Sequence, residues 1–322
     1  MEKLKWIWMD GKLVPWDDAR VHVLTHSLHY GLAAFEGIRS YQTHDGRSAV
    51  YRLQDHIRRL LDSCLIGQIR CPYSQDELAA ASKETLAANG LKAGYIRPVV
   101  YIGDGVMGVH PGDNPIRAFI ATWSWGAYLG EDALKKGIRA KVSSYTRFQP
   151  NTIMTRGKIT GHYATGILAK REAKALGYDE AVMLDGDGFC AEGSGENLFI
   201  VRDGKIKTTP LTCVLPGITR DTILTLAREA GIPIEEQRFS RDELYIADEA
   251  FFTGTAAEVT PIREVDDRTI GKGVPGPVTL RLQKLFFDVV LGRNPKYASW
   301  LNYYEVGEAS PRAARRPARS RT

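Results

Sequence analysis

The stretch Pro150-Asn-Thr-Ile-Met-Thr-Arg-Gly-Lys158-Ile-Thr-Gly-His-Tyr163 places a lysine in a glycine-rich setting, with a tyrosine five residues further on. Thirty-four residues after Lys158 comes the run Glu192-Gly-Ser-Gly-Glu-Asn-Leu-Phe199, in which an acidic residue heads a glycine-broken strand. An amine can attack a carbonyl carbon, while a phenol and a carboxylate can hold the groups around it. Together the two stretches indicate covalent chemistry with a lysine as the nucleophile.

Strand and helix signals surround these stretches along the whole chain. Asp10-Gly11 supplies the positive φ angles of a tight hairpin turn, and Ser74–Glu77 and Ser240–Glu243 have the pattern of capping boxes that open helices. Apolar and alternating runs predict strands at 6–9, 12–15, 35–41, 48–52, 95–102, 116–123, 138–145, 181–184 and 197–201. Amphipathic runs predict helices at 56–65, 161–176, 217–228 and 278–291. The predicted fold class is therefore α/β, with helices and strands mixed (α+β) through the chain.

The pattern breaks at Ser124-Trp-Gly-Ala-Tyr-Leu-Gly130, where two glycines and several aromatic residues interrupt the periodic signals. Such a break is typical of a domain boundary, so we expect two α/β domains joined by a linker from Trp125 to Gly130. The expected divisions are a smaller N-terminal domain at 1–122, an interdomain loop at 123–133, a larger C-terminal domain at 134–305 and a disordered Arg-rich tail at 306–322.

The charge balance argues against a nucleic-acid-binding protein. Five of the 43 basic residues lie in the last dozen positions, and the rest of the chain carries 38 basic residues against 38 acidic ones. A body without formal net charge has no general attraction for nucleic acid. The alternative that the protein is a nucleic-acid-binding module working through its Arg-rich tail is testable, because its salt-dependent binding would vanish on truncation after Glu308.

The cysteine spacing and the hydropathy indicate a cytoplasmic protein. Cys64, Cys71, Cys190 and Cys213 fit neither a paired metal-ligand spacing nor a dense disulfide framework, so we expect reduced thiols and no metal site. The sequence shows no apolar run of signal-peptide or transmembrane length, and no membrane partner is expected.

Lys158, Tyr163 and Glu192 supply the groups that a pyridoxal phosphate enzyme needs. The lysine forms the Schiff base, the tyrosine can meet the phenolic oxygen, and the acid can keep the ring nitrogen protonated. Other interpretations exist: most lysines are solvated surface residues, and Tyr163 also fits the core of an amphipathic helix. Glu192 is poorly explained by core packing, because it lies between Ala191 and Gly193 at a strand end.

A cofactor phosphate needs N–H and hydroxyl donors. Leu215-Pro-Gly-Ile-Thr-Arg220 places backbone amides and a hydroxyl at a predicted helix start, where an anion is favoured. A Pro-Gly pair before a helix is also often only a turn. Gly254-Thr-Ala-Ala257 offers a second hydroxyl and small residues, and Arg59 can add a cation.

A series of motifs runs in a familiar order from Trp6 to Leu301. The motifs are Tyr30-Gly31, Phe35-Glu-Gly-Ile-Arg39, Tyr95-Ile-Arg97-Pro, Gly105-Val-Met-Gly-Val109, Trp125-Gly-Ala-Tyr128, Lys158, Glu192-Gly-Ser-Gly-Glu-Asn-Leu-Phe, Leu-Pro-Gly-Ile-Thr-Arg and Gly-Thr-Ala-Ala-Glu258. In these motifs the chain resembles class IV (fold type IV) aminotransferases, in particular the bacterial branched-chain amino acid aminotransferases. The resemblance implies pyridoxal 5'-phosphate as the cofactor, held between two domains.

The resemblance also implies roles for individual residues. Lys158 is the catalytic Schiff-base lysine. The other residues implied to bind the cofactor are Arg59, Tyr163, Glu192, Ile218, Thr219 and Thr255. The residues implied to bind substrate are Tyr30, Phe35, Gly37, Tyr95, Arg97, Met107, Val109, Trp125, Tyr128, Thr255 and Ala256, some of them from a neighbouring subunit.

The implied reaction is a reversible ping-pong transfer of an amino group between L-leucine, L-isoleucine or L-valine and 2-oxoglutarate. Arg97 can meet the distal carboxylate of glutamate, the amino donor. Alternatives on the same fold are a transaminase for D-amino acids or (R)-amines and an aminodeoxychorismate lyase. The expected partners are these small molecules and further copies of the chain, as a homodimer at least and possibly a hexamer.

Overall fold

The computed structural model describes residues 2–126 and 128–307, and the chain folds into two compact units. The first unit contains the chain up to Trp125, the segment Gly157–Gly161 and the chain from Val290 onward. The second unit contains Gly126–Arg156 and His162–Val289. The segments 157–161 and 290–305, expected in the C-terminal domain, thus pack in the first unit. Of the expected tail at 306–322, residues 308–322 lie outside the described residues.

The first unit is built on an eight-stranded antiparallel sheet. Its strands are β1 (Trp6–Met9), β2 (Lys12–Pro15), β3 (Ala33–Phe35), β4 (Ile38–Gln42), β5 (Ser48–Tyr51), β6 (Gly94–Ile102), β7 (Ile116–Trp123) and β17 (Leu301–Tyr304). They follow the order β17-β5-β4-β6-β7-β1-β2, and β3 also pairs with β6. The predicted hairpin is confirmed: Asp10 and Gly11 have φ angles of 48° and 91° between β1 and β2. The strand predicted at 35–41 is interrupted between β3 and β4, where Glu36 is fully buried.

Two helices complete the core of the first unit. The helices of this unit are α1 (His26–Tyr30), α2 (Leu53–Ile66) and α3 (Gln75–Ala88), and the short 3-10 segments are Trp16–Asp18 and Pro295–Trp300. Ile57, Leu60 and Cys64 repeat at helical spacing along α2 and are buried in the core. The predicted capping box is confirmed at the start of α3, where the Ser74 hydroxyl accepts from the Glu77 N–H and the Glu77 carboxylate accepts from the Ser74 N–H. Such a cap stabilises a helix by about 1 kcal/mol.

The second unit contains a closed ring of six strands. Its strands are β8 (Ile138–Val142), β9 (Glu180–Leu184), β10 (Cys190–Gly193), β11 (Asn197–Arg202), β12 (Lys205–Thr208), β13 (Ile234–Glu236), β14 (Glu249–Gly254), β15 (Glu258–Val265) and β16 (Arg268–Thr269). The sheet order is β10-β9-β8-β15-β14-β11-β12-β13, and an additional pairing of β10 with β11 closes the ring. Closure leaves these six strands without a free edge.

The six strands of the closed ring form a barrel, and alternate side chains of these strands fill the interior of the barrel. Leu198, Ile200 and Phe252 lie in one cluster with side chains from β8, β9 and β15, because successive residues of a strand point to opposite faces. The helices of this unit are α4 (Glu131–Lys136), α5 (Tyr163–Ala175), α6 (Ile218–Glu229), α7 (Arg241–Tyr245) and α8 (Pro277–Val290), and a 3-10 segment, Thr160–His162, precedes α5. Among the described residues, no helix is long and apolar enough to cross a membrane.

Candidate active site

Lys158 lies in the first unit, and hydrogen bonds hold its backbone on both sides. Its N–H donates to the hydroxyl of Ser63 on α2 at 2.9 Å, and its carbonyl accepts from the N–H of Phe35 on β3 at 3.0 Å. The next residue, Ile159, forms an antiparallel bridge with Ala34. The ammonium nitrogen lies 4.9 Å from the centre of the Phe35 ring. The backbone of this half-buried lysine is therefore fixed between α2 and β3.

Arg59 is held by the buried carboxylate of Glu36, a residue that was not predicted from the sequence to have a role in the site. Glu36 accepts from Arg59 Nε at 2.6 Å, from Arg59 Nη2 at 2.9 Å and from His56 Nδ1 at 2.8 Å. Burial alone would raise the pKa of Glu36, but Arg59 and His56 outweigh burial and hold that pKa well below its usual range. Burial lowers the pKa of His56 despite the neighbouring carboxylate. Glu36 thereby holds the Arg59 guanidinium in place.

Arg97 lies among three aromatic rings. Its Cζ is 5.0 Å from the ring centre of Phe35, 5.5 Å from that of Tyr95 and 5.6 Å from that of Trp123. Trp125 packs edge-on against Tyr95 at 4.5 Å. The Nε atom of Arg97 is buried and has no hydrogen-bond partner within the described part of the chain. A buried donor of this kind suits an anionic group such as a carboxylate.

The remaining predicted substrate residues of the first unit lie in two places. At Gly37 an added Cβ would lie 1.8 Å from the Tyr95 hydroxyl, so only glycine allows Tyr95 to take this position. Tyr30 donates to the carbonyl of Met107 at 2.5 Å, and Val109 in the same loop is 85% exposed. The structure thus brings Gly37 together with Tyr95, and Tyr30 together with the loop of Met107.

Glu192 is held by three other residues of the second unit. One oxygen of its carboxylate lies 2.7 Å from Nε of Arg147, and the other accepts from Asn197 Nδ2 and from the Leu215 N–H, both at 3.2 Å. Asn197 lies directly opposite Glu192 in the pairing that closes the barrel. Neither Asn197 nor Arg147 was predicted from the sequence to hold Glu192. One ion pair and two hydrogen bonds thus hold the buried Glu192 carboxylate in place.

A second cluster of donors lies at the start of α6. Gly217 occupies the N-cap position, and Thr219 is buried in the first turn of this twelve-residue helix. An added Cβ at Gly217 would lie 2.0 Å from Oδ1 of Asn197, so the chain is tightly packed against the Glu192 network. Backbone N–H groups at a helix start and a threonine hydroxyl are the donors that a phosphate prefers.

The other predicted cofactor and substrate residues of the second unit lie in turns and at helix ends. Tyr163 is the first residue of α5 and is half-buried. It lies beside Gly195, since a Cβ added at Gly195 would be 3.9 Å from the Tyr163 ring. Thr255 and Ala256 lie in the turn between β14 and β15. The ring of Tyr128 lies 5.4 Å from Nζ of Lys170.

Glu196 is a buried carboxylate near this group of residues. Its Oε2 accepts from the Gly195 N–H at 3.0 Å. Burial, reinforced by the nearby Glu180, raises the pKa of Glu196 to about 8. Glu196 therefore tends to keep its proton near neutral pH.

Comparisons with known proteins identify the family. A family model described as amino-transferase class IV matches residues 33–265. A branched-chain-amino-acid aminotransferase of Pseudomonas aeruginosa is 54% identical over 294 residues, which cover 91% of this chain and 95% of that protein. The crystal structure of the Escherichia coli branched-chain amino acid aminotransferase superposes with a TM-score of 0.91 at 47% identity, covering 93% of this chain and 99% of the other. The T.th. branched-chain amino acid aminotransferase complexed with N-(5'-phosphopyridoxyl)-L-glutamate has a TM-score of 0.90 at 45% identity, covering 94% of this chain and 99% of the other. The chain therefore belongs to the class IV aminotransferase family and has its fold type IV architecture.

Proposed function

We propose that this protein is a pyridoxal phosphate-dependent branched-chain amino acid aminotransferase. It catalyses the reversible, ping-pong transfer of an amino group between L-leucine, L-isoleucine or L-valine and 2-oxoglutarate. The observation that carries the proposal is the 54% identity to the Pseudomonas aeruginosa enzyme over 91% of the chain. The T.th. enzyme was solved with a phosphopyridoxyl-glutamate adduct, which supports glutamate as the second substrate.

The residues of the second unit fit the cofactor. When bound, pyridoxal phosphate supplies an electron-accepting ring that stabilises negative charge at the α-carbon of an amino acid. Glu192, whose carboxylate lies 2.7 Å from Nε of Arg147, would hold a proton on the ring nitrogen. Ile218, Thr219 and Thr255 would hold the phosphate with backbone and hydroxyl donors. Tyr163 would donate to the phenolic oxygen.

In the first unit, Lys158 would hold the cofactor covalently and would move the proton. Its amine, when neutral, is the base that accepts the proton from the substrate α-carbon. The hydrogen bonds to Ser63 and Phe35 fix its backbone, so proton movement requires only side-chain rotation. Arg59, fixed by Glu36, would add a cation for the phosphate.

Substrate selectivity follows from the mixture of apolar surface and one cation. An apolar pocket with few placed polar groups suits branched aliphatic side chains. Its proposed members are Tyr30, Phe35, Gly37, Met107, Val109, Trp125 and Tyr128. Arg97 receives the distal carboxylate of glutamate, because its buried Nε is a donor that an aliphatic substrate leaves unused. Tyr95, Thr255 and Ala256 receive the α-carboxylate.

The covalent role of Lys158 can be tested by borohydride reduction of the holoenzyme followed by peptide mapping. Reduction should fix the cofactor to the peptide that contains Lys158, and Lys158→Ala should abolish the label. Lys170→Ala provides a control, because Lys170 is paired with Glu180 and should not carry the cofactor. A label on any other lysine would refute the assignment.

A substrate panel distinguishes the proposed reaction from others on this fold. L-Leucine, L-isoleucine and L-valine should be good amino donors to 2-oxoglutarate. Higher activity with D-alanine or a chiral (R)-amine would assign the protein to the other transaminases. Release of pyruvate from aminodeoxychorismate would instead identify a lyase.

We also propose that the enzyme works as a homodimer or a higher assembly such as a hexamer. Support comes from the large apolar side chains that the first unit exposes around α1 and the Met107 loop, which suit burial against another copy. Those side chains are Val21, Val23, Leu24, Leu28, Val106 and Val109. Sedimentation analysis should show a dimer or more, and a monomer with full activity would contradict the proposal.

The four free cysteines favour the cytoplasm, where thiols stay reduced.

A further inference from the structure

The Gly105–Val109 loop is held through its backbone by side chains from outside the loop. Asn114 brackets Val106: its Oδ1 accepts from the Val106 N–H at 2.7 Å, and its Nδ2 donates to the Val106 carbonyl at 3.0 Å. The same Nδ2 also lies 3.3 Å from the carbonyl of Gly103. One end of the loop is therefore fixed by a buried amide.

The next two carbonyls are held by α1. Tyr30 donates to the carbonyl of Met107 at 2.5 Å, and His26 donates from Nε2 to the carbonyl of Gly108 at 2.9 Å. The two rings come from successive turns of the helix and lie 4.5 Å apart. Three consecutive carbonyls of the loop thus accept a hydrogen bond from three different side chains.

His26 is the buried member of this pair. The residue is 1% exposed, whereas Tyr30 is 46% exposed. Its backbone N–H donates to the carbonyl of Gly103 at 3.0 Å, so this one residue connects the base of the loop with Gly108 near its tip. Donation from Nε2 sets the tautomer, and Nδ1 has no hydrogen-bond partner in the described ranges. The ring's hydrogen bond in the described ranges is therefore the one to the loop.

The loop presents apolar side chains while its backbone is held. Val106 is 56% exposed and Val109 is 85% exposed. The proposed function places Met107 and Val109 in the wall of the substrate side-chain pocket. A shift of the Gly108 carbonyl would move both side chains together, because Gly108 lies between them in sequence.

We propose that His26 is a positioning residue for substrate selectivity, which sets the place of Met107 and Val109 through its hydrogen bond to the Gly108 carbonyl. This inference rests on the proposed function. It assigns His26 no contact with substrate or cofactor. The residue acts through the loop backbone alone, and its loss should therefore affect large substrate side chains more than small ones.

The test compares His26→Phe with His29→Phe in the cofactor-loaded enzyme. Phenylalanine keeps the ring contact with Tyr30 but removes the donor to Gly108. His29 lies on the same helix and bonds to the Val23 carbonyl instead of the loop, so it controls for damage to α1. The measured quantity is the ratio of kcat/KM for L-leucine to that for L-alanine, with the cofactor absorbance spectrum recorded alongside.

The ratio should fall about 3–10-fold in His26→Phe, which corresponds to the loss of one hydrogen bond. It should stay within about twofold of wild type in His29→Phe and in His26→Gln, which restores an N–H donor. Hydrogen exchange in the apoprotein supplies a readout independent of activity: peptides covering 103–112 should exchange faster in His26→Phe only. Should His26→Phe not fold, His26→Leu takes its place.

The outcomes separate the inference from the proposed function. An unchanged ratio in His26→Phe, or an equal change in His29→Phe, overturns the inference while the transamination of L-leucine by wild type still stands. Unchanged hydrogen exchange at 103–112 overturns it as well. If the wild-type enzyme transfers no amino group from L-leucine, the proposed function fails and this inference fails with it.

Discussion

Replacing Glu36 by glutamine tests whether a buried carboxylate stabilises the first unit. Glu36 is fully buried and accepts three hydrogen bonds from Arg59 and His56, and the Arg59 side chain is only 12% exposed. Glutamine keeps the shape of the side chain but removes the charge and turns an amide NH₂ toward one of these donors. The substitution therefore leaves the Arg59 cation buried without its counter-ion.

The loss of stability in Glu36→Gln follows from the attraction between the two charges. Unit charges about 4 Å apart attract one another by about 4 kcal/mol at an effective dielectric constant of about 20. Removing one partner of a buried ion pair costs about 3–5 kcal/mol, because the remaining charge is left uncompensated. We therefore expect Glu36→Gln to lower the free energy of unfolding of the first unit by about 4 kcal/mol at neutral pH.

Tryptophan fluorescence during urea unfolding measures this quantity for the first unit specifically. All six tryptophans belong to that unit: Trp6, Trp8, Trp16, Trp123, Trp125 and Trp300. The matched control is Asp45→Asn, which breaks the Asp45–Arg47 pair of similar length, 2.7 Å, at an exposed position. Exposed pairs contribute little, so no measurable change is expected there. A loss below about 1 kcal/mol in Glu36→Gln, or an equal loss in Asp45→Asn, would refute the reasoning.

Three further predictions concern the two units. The pKa of Glu196 is raised from 4.5 to about 8, so between these pH values the folded state binds a proton that the unfolded state has lost. The free energy of unfolding should therefore fall as pH rises from 4.5 to about 8, by at most about 1.4 kcal/mol per pH unit. Glu196→Gln should lose less stability than wild type over this range in urea titrations followed by circular dichroism, and parallel pH profiles would exclude the assignment. In Gly37→Ala the added Cβ would lie 1.8 Å from the Tyr95 hydroxyl, so Tyr95 should be displaced. The value of kcat/KM for L-leucine should fall about 10–100-fold at unchanged cofactor content. Wild-type kinetics in this variant would show that Tyr95 has room to move. Gly217→Ala should push Asn197 away from the Glu192 network and weaken cofactor binding about tenfold in absorbance titrations of the apoprotein, and an unaltered affinity would contradict that link.

Local signals predicted most of the secondary structure. Capping boxes at Ser74 and Ser240 open α3 and α7, because a hydroxyl three residues before a glutamate satisfies backbone N–H groups wherever the helix packs. The helix predicted at 161–176 begins two residues later, since a 3-10 turn at Thr160–His162 precedes it. Amphipathic runs and turn residues determine structure within a few positions of the chain, so the sequence alone predicts the elements they form.

The parts of the site that depend on distant pairing were not predictable. Glu36 meets Arg59 across 23 positions, and Arg147 reaches Glu192 of β10 from a loop 45 positions earlier in the chain. Neither pairing leaves a periodic signal in the sequence. Arg59 was predicted as a site residue, but Glu36, the carboxylate that holds it, was not. The placement of Gly157–Gly161 in the first unit was also missed, because a short segment carries no mark of the unit with which it packs.

The path of the chain through the two units has a consequence for the order of synthesis. The sheet of the first unit needs β17, residues Leu301–Tyr304, which pairs with β5 near the other end of the chain. The strand-like contact at Ile159 is also made only after the chain has begun the second unit. On the ribosome, the unit that starts first is therefore finished last. A nascent chain halted after Trp125 would expose an unpaired edge at β5, which makes chaperone protection most valuable during the second half of translation.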